Sequence, residues 1–225
     1  MTISNPPRPV VYIIDDDRSM RVSLEDLFAS VALQAVAFSS VREFLDHART
    51  TGPACLVLDV RMPEQSGTDF HLQMESLDIR IPVVFITGHG DIAMGVKAIK
   101  DGAVDFLTKP FRDHDLLDAV QIAIARDQQR LDQARISSEL QRRWENLNAG
   151  ERDVLNRVVR GLLNKQIASE LGVKEVTVKV RRARVMQKMQ AGSLAELVRM
   201  ADQLKLDAAN TGVDGAHSQS ERTHG

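Results

Sequence analysis

Five side chains in the first half of the chain have the chemistry to receive a phosphoryl group: the paired acids Asp15 and Asp16, the acid Asp59, the hydroxyl of Thr87 and the amine of Lys109. Each lies at or just beyond the end of an apolar run. Val10 to Ile14 leads into Asp15, Cys55 to Leu58 into Asp59, Pro82 to Ile86 into Thr87, and Val104 to Leu107 stops short of Lys109-Pro110. Clustered carboxylates repel one another unless a hard cation sits among them, and Mg²⁺ is commonly held by one or two carboxylates, waters and phosphoryl oxygens. Beside such a cation Asp59 can attack phosphorus and form an aspartyl phosphate. Mg²⁺ and Lys109 would neutralise charge on the transferring group, and Thr87 can donate its hydroxyl to a phosphoryl oxygen.

Each residue also has a plainer reading. Asp59 can start a turn or cap the next helix, Asp15 to Asp17 can be a charge cluster at a helix N-terminus, Thr87 a turn hydroxyl and Lys109 a solvated lysine. The joint reading is favoured because an acid pair, an acid, a hydroxyl and a Lys-Pro fall in that order at four strand ends.

The elements that must position them follow from periodicity. Between the apolar strands, helical spacing recurs in Leu24, Leu27, Phe28 and Val31, and then in Val41, Phe44, Leu45 and Ala48 after a short strand near 36–38, with Ser39 or Ser40 as cap. It returns in Phe70, Met74 and Leu77 after Ser66-Gly67, in Ile92, Val96 and Ile99, and in Leu117, Val120 and Ile124. Five alternations over the first 125 residues predict an α/β doubly wound five-stranded parallel sheet with helices on both faces. Its carboxyl edge is where such sheets bind ligands, and it would collect all five groups.

Composition sets bounds. In 225 residues with one cysteine there is no internal disulfide and no cysteine zinc site, and Cys55, in an apolar strand, is expected to pack. No run is long enough to span a membrane and Met1 to Pro9 lacks a signal-peptide core, so a cytoplasmic protein without a membrane partner is expected. The net charge of −2 hides an asymmetry: residues 1–125 carry 11 Lys+Arg and 18 Asp+Glu, a balance of −7, while residues 141–205 carry 14 and 7, a balance of +7. A basic second half points to an anionic partner, with nucleic acid the first candidate.

From Asp113 to Trp144 there is neither proline nor glycine, and the stretch is polar, so the fifth helix is expected to run on as a linker. A plain solvated helix and a dimeric coiled coil both remain open. Beyond it, Asn148 or Ala149 opens a helix bearing Val154, Leu155, Val158 and Val159. Asn164 begins a shorter one that ends at Gly172, and Glu175 starts a third. A short helix, a tight glycine turn and a basic helix form a helix-turn-helix pattern. Spacing at 100° buries Val178, Val185 and Met189 and turns Val176, Lys179, Val180, Ala183, Arg184 and Gln187 outward. Arg181 and Lys188 flank that face, and Arg182 would have to snorkel from the core side. Such a face fits the major groove, with the flanking charges on phosphates.

Two resemblances sharpen these readings. The Asp15-Asp16 pair, Asp59-Val60-Arg61-Met62-Pro63, Ser66-Gly67, Thr87-Gly88 and Lys109-Pro110-Phe111 resemble the receiver domain of bacterial response regulators. The resemblance implies a flavodoxin-like receiver fold with Asp59 as phosphoacceptor, Asp16 as direct Mg²⁺ (or Mn²⁺) ligand assisted by Asp15, and the backbone carbonyl of Arg61 as a further ligand. It implies Lys109 as ion-pair partner, a cis Lys109-Pro110 peptide, and Thr87 and Phe106 as switch residues, with core packing the plainer role for Phe106. Arg61 and His89 would flank the path of hydrolytic water.

Glu151, Val154-Leu155, Gly161, Asn164 to Ala168, Leu171-Gly172, Val176 to Val180 and Lys188-Met189 resemble the small all-α, four-helix DNA-binding domain of NarL/FixJ-type (LuxR-like) regulators. That implies DNA contacts among Val176, Thr177, Lys179, Val180, Arg181, Arg182, Ala183, Arg184, Gln187 and Lys188, and dimerisation through the fourth helix. Two departures stand out. Ala149 replaces a usual Thr or Ser cap, which would weaken the helix start by about 1 kcal/mol, and Arg181 replaces a histidine.

The expected organisation is a receiver over 1–125, a helical linker over 126–146, a helix-turn-helix domain over 147–206 and a disordered tail over 207–225. The expected partners are a sensor histidine kinase, double-stranded promoter DNA, a second copy when phosphorylated, and RNA polymerase. The rival readings are an Mg²⁺-dependent aspartate-nucleophile phosphohydrolase, against which Arg61 stands where such enzymes place a second acid, and an orphan regulator binding DNA without phosphorylation.

Overall fold

The computed structural model describes residues 7–88 and 92–211. The chain divides into two units, Met1–Asp132 and Gln133–Gly225.

In the first unit, strands β1 (Val10–Ile14), β2 (Gln34–Phe38), β3 (Ala54–Asp59), β4 (Val83–Thr87) and β5 (Asp105–Thr108) alternate with helices α1 (Arg18–Ser30), α2 (Val41–Asp46), α3 (Gly67–Met74) and α4 (Ile92–Lys100), and β5 is followed by α5 (Asp113–Glu145). The sheet order is β2-β1-β3-β4-β5 and every pairing is parallel. The three central strands are buried along their whole length, which is why they read as unbroken apolar runs rather than alternating ones. Tyr12, Leu56, Leu58 and Phe85 pack to one face with Phe44 and Phe70. Val11, Ile13, Val57 and Ile86 pack to the other with Phe28, Leu116 and Val120.

Local chemistry sets the helix starts. Asp17 caps α1 by accepting the Ser19 N–H at 2.8 Å. Of the two candidate serines it is Ser40 that caps α2, while Glu43 reaches back to the Ser39 N–H at 2.7 Å.

Helix α5 runs on for 33 residues. Acids in its first turn and arginines in its last suit the helix dipole, and pairs such as Gln128–Asp132 and Arg143–Glu139 support its polar stretch. It is not a purely solvated linker. Asp127 is buried and accepts the Ala54 N–H at 2.8 Å, and in the second unit Leu140 is buried in the core with Trp144 packed against it.

The second unit adds α6 (Ala149–Val159), α7 (Asn164–Leu171), α8 (Glu175–Met189) and α9 (Leu194–Thr211) around Val154, Leu155, Ile167, Val178, Val185, Met189 and Leu197. Two expectations are corrected. The cap of α6 is Asn148, in a reciprocal capping box with Glu151, so Ala149 occupies the first helical position, where alanine brings no capping penalty. Helix α9 reaches Thr211, past the point at 207 where a tail was expected to begin, and the remainder of that tail lies outside the described residues.

Candidate phosphoacceptor pocket and nucleic-acid face

The carboxyl edge of the sheet brings the five predicted groups together. Asp15 follows β1 and is fully buried. Its Oδ1 accepts the Asp17 N–H at 2.8 Å and its Oδ2 the Lys109 ammonium at 2.7 Å. Lys109 reaches across β4 from the end of β5 and also donates to Asp59 Oδ1 at 3.1 Å, while Asp59 Oδ2 accepts the Arg61 N–H at 3.1 Å. Lys109 is held in register by its own N–H, which donates to the Thr87 carbonyl at 2.7 Å, and the Lys109-Pro110 peptide is cis as expected. Thr87 is fully buried at the end of β4, and Asp16 is exposed at the pocket mouth.

Gly67 opens α3 against the back of the pocket. A Cβ there would meet the Asp59 carbonyl oxygen at 2.1 Å, so only glycine lets the helix approach this closely.

Burial pushes the Asp59 carboxyl above its ordinary range. The hydrogen bond and charge of Lys109 oppose this, and the nearby Asp15 adds to it. Burial alone would lower Lys109, but its bonds to Asp15 and Asp59 outweigh that and hold the ammonium above its usual value. The pocket therefore contains a firmly charged lysine between two acids. One oxygen each from Asp15, Asp16 and Asp59 fall within 4.8 Å of one another. An all-oxygen set of that size with one exposed member fits a small hard cation such as Mg²⁺.

Phe106 is partly buried. Its ring lies 6.4 Å from that of Phe85, and a Cβ on Gly95 of α4 would come within 3.1 Å of it, so it packs where α4 crosses β5. Arg61 is exposed, and His89 lies outside the described residues.

On the second unit, Gly172 adopts φ +63° between α7 and α8, a left-handed turn glycine makes without strain. Val178, Val185 and Met189 of α8 are buried, and Val176, Lys179, Val180, Ala183, Arg184 and Gln187 are all exposed, as the 100° spacing requires. Val176 and Val180 are 61% and 47% exposed, an apolar stripe among cations that suits contact with thymine methyls. Thr177 is half-buried.

Three flanking residues also make contacts within the unit. The Lys188 ammonium donates to buried Glu151 at 2.6 Å and to the Asn146 carbonyl at 3.1 Å, so it ties α8 to α6 while its side chain stays 37% exposed. Arg182 reaches out as expected, but to Asn164 Oδ1 at 3.2 Å. The Arg181 guanidinium covers Gly150, where a Cβ would lie 2.8 Å from its Cζ.

Three residues escaped the sequence reading. Arg21 donates from one nitrogen to the carbonyls of Asp15 and Asp16 at 2.6 and 3.0 Å. Asp127 holds the start of β3, and Arg143 donates to the Met189 carbonyl at the end of α8 at 3.1 Å. The only sequence signal for Arg21 is a cation in the first turn of a helix, where the dipole disfavours one.

Family models match both halves: response regulator receiver domain over residues 11–121, and bacterial regulatory proteins, luxR family, over residues 145–201. Nodulation protein W of Bradyrhizobium diazoefficiens is 50% identical over 204 residues, which is 91% of this chain and 90% of that protein. Transcriptional regulatory protein FixJ of Azorhizobium caulinodans is 42% identical over 191 residues, covering 85% and 90%. The solved structure of response regulator StyR is similar with a TM-score of 0.81 at 42% identity, spanning 88% of this chain and all (100%) of that one.

Proposed function

The chain belongs to the response regulators, pairing a receiver with a LuxR-type helix-turn-helix in a two-component transcription regulator, and we propose that Asp59 is its phosphoacceptor. The observation that carries this is the bridge of Lys109 between Asp15 and Asp59, which gathers two buried carboxylates and one ammonium from the ends of three strands.

An Asp59 carboxylate oxygen attacks the phosphorus of a phosphohistidine on the partner sensor kinase. The new O–P bond forms as the P–N bond breaks, and its electron pair returns to the imidazole. Lys109 exchanges its bond with Asp59 Oδ1 for one to the incoming phosphoryl group, and Thr87 turns its hydroxyl to another phosphoryl oxygen. Asp16, Asp59 and the Arg61 carbonyl would hold Mg²⁺ (or Mn²⁺), with Asp15 assisting. When bound, that ion supplies charge neutralisation for the phosphoryl transfer.

Phosphorylation then acts as a population shift between states of the protein, with Thr87 and Phe106 as the moving parts and homodimerisation as the consequence. The α8 face of Val176, Lys179, Val180, Ala183, Arg184 and Gln187 enters the major groove of promoter DNA. Thr177, Arg181, Arg182 and Lys188 lie at its margin, and RNA polymerase is the further partner on that promoter. The protein turns over no substrate beyond its own phosphoryl group, and it works in the cytoplasm, where its kinase and promoter are met. Incubation with acetyl phosphate and Mg²⁺ is expected to add one phosphoryl mass to the wild-type chain and none to Asp59→Asn. Equal labelling of the variant would overturn the assignment.

A further inference from the structure

We propose that Arg21 is a positioning residue for the metal site: its guanidinium fixes the two peptide planes that aim Asp15 and Asp16 at Asp59. The inference rests on reading the acid cluster as a Mg²⁺ site. One nitrogen, Nη1, donates to two successive carbonyls, Asp15 at 2.6 Å and Asp16 at 3.0 Å. Orienting both carbonyls fixes the peptide planes on either side of Asp16 and with them its Cα–Cβ direction, while Asp15 is fixed between the first of these planes and its own N–H, which donates to the Phe38 carbonyl at 3.2 Å. The remaining freedom of the turn is removed by the Asp17 N–H on Asp15 Oδ1 and by the Ser19 N–H on Asp17 Oδ1. Nothing in helix energetics calls for the arginine, since it sits in the first turn of α1, at the positive end of the dipole.

Electrostatics and positioning predict opposite signs, which makes the role measurable. A guanidinium beside a cation site repels the cation, so its removal would tighten Mg²⁺ binding if charge were all that mattered. If it holds the acids in place, its removal loosens binding, because partners that orient metal ligands typically contribute about 10–100-fold in affinity.

Calorimetric titration of the full unphosphorylated chain with Mg²⁺ alone is therefore expected to give a Kd raised about tenfold or more in Arg21→Met. Arg21→Lys, which keeps donors on a point charge without the planar fork, should fall in between. Phosphorylation by acetyl phosphate should show a higher Mg²⁺ requirement with a maximal rate near that of wild type. Arg21→Gln carries the same expectation and replaces the methionine variant if that form fails to melt cooperatively. An unchanged or tighter Kd in the methionine or glutamine form overturns the role of Arg21. A wild-type chain that takes up no Mg²⁺ overturns the metal reading itself.

Discussion

Lys109 holds together two buried acids that would otherwise repel. Lys109→Met leaves Asp15 and Asp59 adjacent without a counter-charge, and an unpaired buried charge neutralises itself by taking up a proton. Acetyl phosphate labelling at pH 7 is expected to slow on the order of 100-fold, read by intact mass against time. Cys55 is the opposite case: burial pushes its thiol far above the ordinary range, so native protein is expected to resist iodoacetamide and react only when unfolded. The pocket residues were legible because each ends an apolar strand, and strand order alone brings such ends together. The pairing of Lys188 with Glu151 was hidden for the complementary reason. Helical spacing gives the direction of Lys188, but its partner Glu151 lies 37 residues away on another helix, and no local pattern carries that pairing.

Among the elements, buried Glu151 and the partly exposed Lys188 lock α8 to α6. Burial would raise the Glu151 carboxyl, but Lys188 and the Asn148 N–H outweigh it and hold it below the ordinary range. A carboxylate so lowered contributes stability that is present above its unfolded pKa and lost as pH falls through its folded one. Glu151→Gln keeps an acceptor for the Asn148 N–H and removes only the charge. Its cost in denaturant unfolding is expected to be about 2 kcal/mol near pH 7, shrinking steadily below about pH 4.5. A cost independent of pH would contradict the pairing.

Asp127 makes a similar link in the first unit. The β3–β4 ladder begins only at Leu56↔Val83, so the Ala54 N–H has no strand partner on that side and the Asp127 carboxylate supplies one. Asp127→Ala leaves that buried donor unsatisfied and is expected to cost about 2 kcal/mol, whereas Asp127→Asn retains an acceptor and costs less. The continuity of α5 was readable from the absence of proline and glycine. Its burial at Asp127 and Leu140 was not, because a helix with sparse apolar positions looks solvated until the elements it meets are known.

Across the whole chain, the basic balance of residues 141–205 goes with the LuxR-type helix-turn-helix, and the acidic balance of residues 1–125 with a unit whose pocket gathers three acids. If Asp59 is the phosphoacceptor, its chemistry governs what the α8 face does. The direct measurement is binding of the full chain to its promoter DNA, at one fixed salt concentration, before and after acetyl phosphate with Mg²⁺, for wild type and Asp59→Asn. Phosphorylation is expected to tighten DNA binding by wild type and to leave Asp59→Asn at the unphosphorylated level. A variant that binds and responds to acetyl phosphate as wild type does would contradict it.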